Sequence, residues 1–193
     1  LTPAERSMPS PALGVADRPG FLVVRSGDGT AYVGALMVTD VTGLPVDFRY
    51  TDPIEPTRLQ RALYGGVLDR YLRTEVVTRT LLDALPQPPT MLVVDDRQFL
   101  DEKVAACPVV LLAASAAGAL GPVGARHAQG GGSFLLQVAE RENPVRVSMG
   151  EAMLSHEDAV AEALLRLGTT LDLLEPGDRV RDALDLIAAG EVD

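Results

Sequence analysis

At 193 residues, with 47% hydrophobic content, 4% aromatics and no Trp, the chain suits one domain with an aliphatic core of Leu, Val and Ala. A net charge of −10 argues against non-specific binding to nucleic acid or an anionic membrane, which needs clustered cations. The single cysteine, Cys107, excludes an intramolecular disulfide framework and fits a reducing cytoplasm, where a buried, inert thiol before an apolar strand is expected.

No apolar run reaches the roughly 18 residues of a transmembrane helix, and no basic region followed by a hydrophobic stretch marks a signal peptide. The first residue is Leu1, so the natural start is expected upstream or trimmed. Residues 140–193 carry thirteen acids and five bases, a solvated and solubilising surface. Residues 57–85 instead hold five Arg against three acids.

Residues 1–20, rich in Pro, Ala and Gly, are expected to form an extended arm or linker. Residues 21–193 form the single mixed domain. FLVVR (21–25) and TAYVGALMVTD (30–40) are predicted strands joined through Asp28-Gly29, since Gly tolerates the positive φ of a tight hairpin. VDFRY (46–50) alternates Val46, Phe48 and Tyr50 with Asp47 and Arg49, which predicts a third strand with one wet face. Three strands in an antiparallel meander follow.

The longest helical pattern runs from Thr57 to Leu85. Thr57 and Gln60 make a capping box. Leu59, Leu63, Val67, Val77, Leu81 and Leu85 fall on one face, and Leu68, Leu72 and Val76 form a second apolar row. Two apolar faces predict burial on two sides, by a sheet and by a further helix or chain. Gly65-Gly66 marks a kink or a close approach. Asp69–Arg73, Glu75–Arg79 and Arg79–Asp83 are i,i+4 pairs.

MLVV (91–94) and PVVLLAA (108–114) read as short parallel strands buried on both faces, joined by a short helix or turn near 97–105. Residues 116–132 are expected to be a flexible Gly-rich loop; they lack the Gly-Lys-Ser/Thr of a phosphate loop. FLLQVAE (134–140) and VRVS (145–148) predict a second hairpin. A helical pair closes the chain, the first capped by Ser155 and striped by Val160, Leu164, Leu167, Leu171 and Leu174. Glu175-Pro176-Gly177 is expected to end it, with Asp178 capping the last helix.

The fold class is therefore α/β or α+β. Three meandering strands, a long helix, a strand, a short helix and another strand resemble the ribonuclease-H-like topology over about residues 21–115. That resemblance implies carboxylates from the first strand, the long helix and the end of the fourth strand, gathered around divalent magnesium or manganese, two such ions stabilising attacking and leaving phosphodiester oxygens. Asp95 and Asp96 end the fourth strand, and Glu75 or Asp69 comes from the helix. FLVVR holds no acid, and Asp28 lies in the turn beyond it.

The candidate catalytic residues are Asp95, Asp96, Glu75 and Asp28, with Asp95 and Asp96 as alternative metal ligands. The bland reading makes the Asp pair an N-cap and Glu75 a surface ion-pair partner, with no cofactor expected. Two His and one Cys leave no zinc site of N and S ligands. His127 has no acid or Ser nearby in sequence to act with, and His156 sits exposed in a first helical turn.

The expected function is a non-enzymatic accessory or scaffold subunit that binds a protein partner, or a second copy, through its helices and arm. Leu68, Leu72, Val76, Leu164 and Leu171 are the candidate contacts, and nucleic acid is not expected as a partner. The alternative is a ribonuclease-H-like metal-dependent nuclease, or a catalytically degenerate relative of one.

Overall fold

The computed structural model describes residues 17–27, 31–101 and 103–191. Asp28 and most of the expected arm lie outside the described residues. One eight-stranded sheet runs in the order β3-β2-β1-β4-β5-β8-β7-β6. β1 (Pro19–Gly27) and β2 (Ala31–Thr39) pair antiparallel from Gly20↔Val38 to Gly27↔Ala31, as the sequence predicts. β4 (Met91–Val94) lies parallel to β1 and to β5 (Val109–Ala114), and its continuous apolar run is buried from both sides. β7 (Ser133–Leu136) and β8 (Val145–Met149) form the second hairpin, with β8 antiparallel to β5.

Two strands depart from expectation. β3 (Pro45–Tyr50) is a sheet edge, and Val46, Phe48 and Tyr50 are exposed on it. Arg126–Gly130, expected within a loop, is β6, an exposed edge strand paired with β7.

Helices cover both faces. On one, Leu68, Leu72, Val77 and Leu81 pack on Leu22, Val24, Leu36, Leu92 and Val94. On the other, α4 (Glu157–Leu167) brings Val160, Leu164 and Leu167 to Val110, Leu136 and Val147, while α5 (Glu175–Ala189) sets Val180 and Leu184 on Phe21, Val23, Ala35 and Met37.

The long helical region is broken rather than continuous. The capping box of Thr57 and Gln60 opens α1 (Arg58–Tyr64) with both bonds formed. A 3-10 turn at Gly65–Val67 follows, then α2 (Leu68–Tyr71), a π-helical stretch Leu72–Thr78, and α3 (Arg79–Asp83). Gly65 stands at φ 50, and the π stretch adds a residue to the turn. These two phase changes undo a simple 3.6-residue count. Leu59, Leu63 and Val67 point to solvent at 67%, 73% and 52% exposure. The second row is core instead: Leu68 and Leu72 are buried and Val76 packs against them.

Leu164 and Leu171 are likewise buried, so all five residues expected to meet a partner lie inside or against the domain's own core. Each buried Leu contributes roughly 2 kcal/mol, more than the roughly 1 kcal/mol that a helical glycine costs. Gly34 on β2 lets the helix come close, because a Cβ there would lie 2.4 Å from Val77.

The C-terminal caps also differ. A 3-10 segment, Glu151–His156, leads into α4, and Ser155 bonds the His156 ring rather than capping the helix. Glu175-Pro176-Gly177 begins α5 instead of ending α4, since Pro loses nothing in a first turn whose N–H groups lack helical partners. Among the described residues no helix is long and apolar enough to cross a membrane.

Candidate functional site

The parallel pair β1 and β4 ends on one side of the sheet, with Leu22 level with Val94. Beyond that register, the Arg73 guanidinium reaches both the Val24 carbonyl and Asp96. Successive side chains alternate across a sheet, so the adjacent acids part. Asp96 follows Leu92 and Val94 onto the long-helix face; Asp95 follows Val93 onto the α5 face.

On the long-helix face the centre is a cation. The Arg73 guanidinium projects from the π-helical stretch and is only 14% exposed. Nη1 donates to the Val24 carbonyl at 3.1 Å and Nη2 to Ser26 Oγ at 3.4 Å. Asp69 Oδ2 lies 3.5 Å from Nε and Asp96 Oδ2 3.5 Å from Nη1, both at ion-pair distance. The Thr78 hydroxyl donates to the Arg73 carbonyl at 2.7 Å, which ties up an acceptor that the widened turn displaces from regular helical pairing. Tyr32 OH donates to Asp69 at 3.1 Å; burial, and then the Asp69 charge, push the Tyr32 pKa up.

Asp96 also caps the following turn, accepting from the Gln98 backbone N–H at 3.0 Å and its side-chain amide at 2.9 Å. That is the N-cap role read from the sequence, held by the second Asp of the pair.

Asp95 sits in a small crevice with Phe21, Val93, Leu173, Gly177 and Arg181. Its Oδ1 is buried without a hydrogen-bond partner. Desolvation holds its pKa above the ordinary carboxylate range, although the Arg181 charge opposes this. Glu75 bonds Arg79 at 2.8 Å on the outer surface. Cys107 is a partly buried thiol whose pKa burial pushes up to about 12. His127 bonds Gln129 on exposed β6.

A cavity of about 360 Å³ opens just past Asp96, lined by Arg97, Leu100, Asp101, Gly132, Met149 and Glu151, among others. Arg97 reaches the Gly131 carbonyl at 3.5 Å across it. Gly150 fixes one wall: a Cβ there would lie 1.9 Å from the Leu100 carbonyl oxygen. No sequence motif announces this cavity, since its walls come from three segments that are separate in the chain.

The ribonuclease-H-like metal centre does not fit these residues. Among the described residues no three His, Cys, Asp or Glu side chains approach closely enough to hold an ion. β1 carries no acid, Glu75 and Asp95 face elsewhere, and Asp69 and Asp96 already flank a guanidinium.

No protein-family model matches the chain, and no curated protein matches it in sequence. Solved structures do. Endonuclease V from Streptomyces avermitilis superimposes over 91% of this chain and 82% of its own, at 23% identity and TM-score 0.58. The catalytic domain of human Endonuclease V matches over 97% and 89%, at 16% identity and TM-score 0.53. Ciona intestinalis Endonuclease V, solved with a DNA containing an inosine followed by a ribo-adenosine, matches over 91% and 88%, at 12% identity and TM-score 0.52.

The likeness bears out the ribonuclease-H-like, mixed α/β reading of the element order. It also corrects two expectations. The accessory or scaffold subunit built on protein–protein contacts gives way, because these similar structures are nucleases. The expectation against nucleic acid falls with it, one of the three having been solved with DNA.

Proposed function

We propose that this chain binds a nucleic-acid strand across the end of the sheet where β1 and β4 finish, as a catalytically degenerate relative of ribonuclease-H-like nucleases. The observation that carries this is the cavity of about 360 Å³ directly beyond Asp96, in a fold shared with an Endonuclease V solved on inosine-containing DNA. The volume admits one unstacked base. Arg97 can donate to the base edge, Asp101 and Glu151 can accept, and Leu100, Met149 and Leu154 supply apolar contact.

Most of the excess acid lies in residues 140–193, but Glu151 and Asp101 also line the cavity, so the contact rests on Arg97 rather than on a broad basic face. Among the described residues no cluster of carboxylates supports metal-dependent cleavage. A single cysteine suits work on nucleic acid in the reducing cytoplasm.

Fluorescence anisotropy with labelled single strands of DNA and RNA, with and without inosine, in EDTA, tests the proposal. Roughly micromolar binding that weakens with salt is expected, and Arg97→Glu should weaken it about tenfold or more, the scale of one lost charged contact. No binding by any of these strands at low salt would overturn it.

A further inference from the structure

Arg73 is the group that nucleic-acid binding leaves unexplained. Its guanidinium is surrounded by four oxygens from three elements: the Val24 carbonyl and Ser26 hydroxyl of β1, Asp69 of α2, and Asp96 just past β4. These are hard oxygen donors of the kind that magnesium and manganese take. They also come from the three places where a ribonuclease-H-like centre draws its ligands: first strand, long helix and end of the fourth strand. Here an arginine side chain fills the space between these oxygens.

The filling is not incidental to packing. Leu72 and Val77, buried on the same stretch, pin the backbone on either side of Arg73 against the sheet. The π-helical turn then aims the side chain at the end of β1. Arginine keeps its charge at every pH the fold survives, so the cation cannot be lost by titration. Nε has no hydrogen-bond partner and meets Asp69 by charge alone. A divalent ion entering here would have to displace the guanidinium or sit against a like charge.

We infer that Arg73 is a resident cation in the place of the catalytic metal, holding Asp69 and Asp96 together and closing that space to divalent ions. This rests on the ribonuclease-H-like reading for the position of the metal, and not on nucleic-acid binding.

The test is manganese titration followed by electron paramagnetic resonance of the free ion, on the native chain, Arg73→Met, and Arg73→Met combined with Asp96→Asn. The native chain should leave millimolar manganese free. Arg73→Met keeps an apolar stem but removes the charge, and should gain one site at least tenfold tighter than any in the native chain. The added Asp96→Asn should abolish that site.

Stoichiometric binding by the native chain, lost on Asp96→Asn, would overturn the inference. So would a folded Arg73→Met that gains no site. Should Arg73→Met not fold, the native titration still decides, with Asp96→Asn as its control. Anisotropy in EDTA is independent of these outcomes, so a chain that binds neither strand nor manganese loses the nucleic-acid proposal alone.

Discussion

On the long-helix face of the sheet, Asp96 accepts two hydrogen bonds from Gln98 and stands at ion-pair distance from Arg73. One residue earlier and one face over, Asp95 has a buried oxygen with no hydrogen-bond partner and a pKa raised by desolvation. The two carboxylates share a strand end and a residue type. Just past β4, one reaches a built polar centre and the other a crevice where the Arg181 charge favours its ionised form. Acidity at the end of a strand is therefore no measure of a site; the partners on each face decide.

Backbone contact makes the largest difference between the two sides. Gly150 closes the Asp96 side, where a Cβ would meet the Leu100 carbonyl oxygen at 1.9 Å, whereas at Gly177 on the Asp95 side it would meet only the Arg181 guanidinium tips at 3.9 Å. Backbone cannot swing aside as a side chain can. Gly150→Ala should cost about 3 kcal/mol in urea unfolding, the upper range for overpacking. Gly177→Ala, in the first turn of α5, should cost nothing and gain up to about 0.5 kcal/mol from helix propensity. Equal effects at the two positions would end the contrast.

Neutralising the two acids should give opposite signs. A carboxyl whose folded-state pKa is raised binds its proton more readily folded than unfolded. Stability then falls as pH climbs from the ordinary carboxylate value through the raised one, and the penalty is complete above it. Asp95→Asn should thus stabilise the chain by about 1 kcal/mol at pH 7, and the gain should vanish below about pH 4, where Asp95 is protonated in both states. Asp96→Asn weakens a cap and an ion pair and should cost about 1 kcal/mol at pH 7. Thermal unfolding across that pH range reads both. Destabilisation by Asp95→Asn at neutral pH would show its carboxylate to be better solvated than the crevice allows.

Local signals carried much of this into the sequence. The hairpin of β1 and β2, the capping box at Thr57 and Gln60, and the apolar runs of β4 and β5 depend on neighbours in the chain, and all were legible. The long helix was legible only in part, since Leu68, Leu72, Val77 and Leu81 are buried whereas Leu59, Leu63 and Val67 are exposed. Its count assumed one uninterrupted period, and neither the positive φ at Gly65 nor the π-helical stretch leaves a mark in apolar spacing. β6 escaped because RHAQG is exposed along its whole length, so it lacks the alternation that betrays a half-buried strand.

At the site, the Asp pair stood out as chemistry, but its separation onto two faces depends on where β4 ends, and its partner Arg73 is brought in by the tertiary fold. Arg73 read only as half of an i,i+4 pair with Asp69. That pair exists, and it is the smaller part of what Arg73 does.

The smallest effect belongs to Arg181. It is paired with Asp178 and is 40% exposed, so solvent screens most of what it offers Asp95. Arg181→Gln should lower stability at pH 7 by less than about 0.5 kcal/mol and move the Asp95 titration, followed by carboxyl carbon NMR, further upward, because the removed charge was favouring the ionised form. In the Asp95→Asn background there is no carboxylate left to favour, so the same Arg181→Gln change should lose that part of its cost. The difference between the two measurements is the Asp95–Arg181 coupling itself. An unmoved Asp95 titration would mean that the crevice is governed by desolvation alone, with Arg181 no more than a surface partner of Asp178.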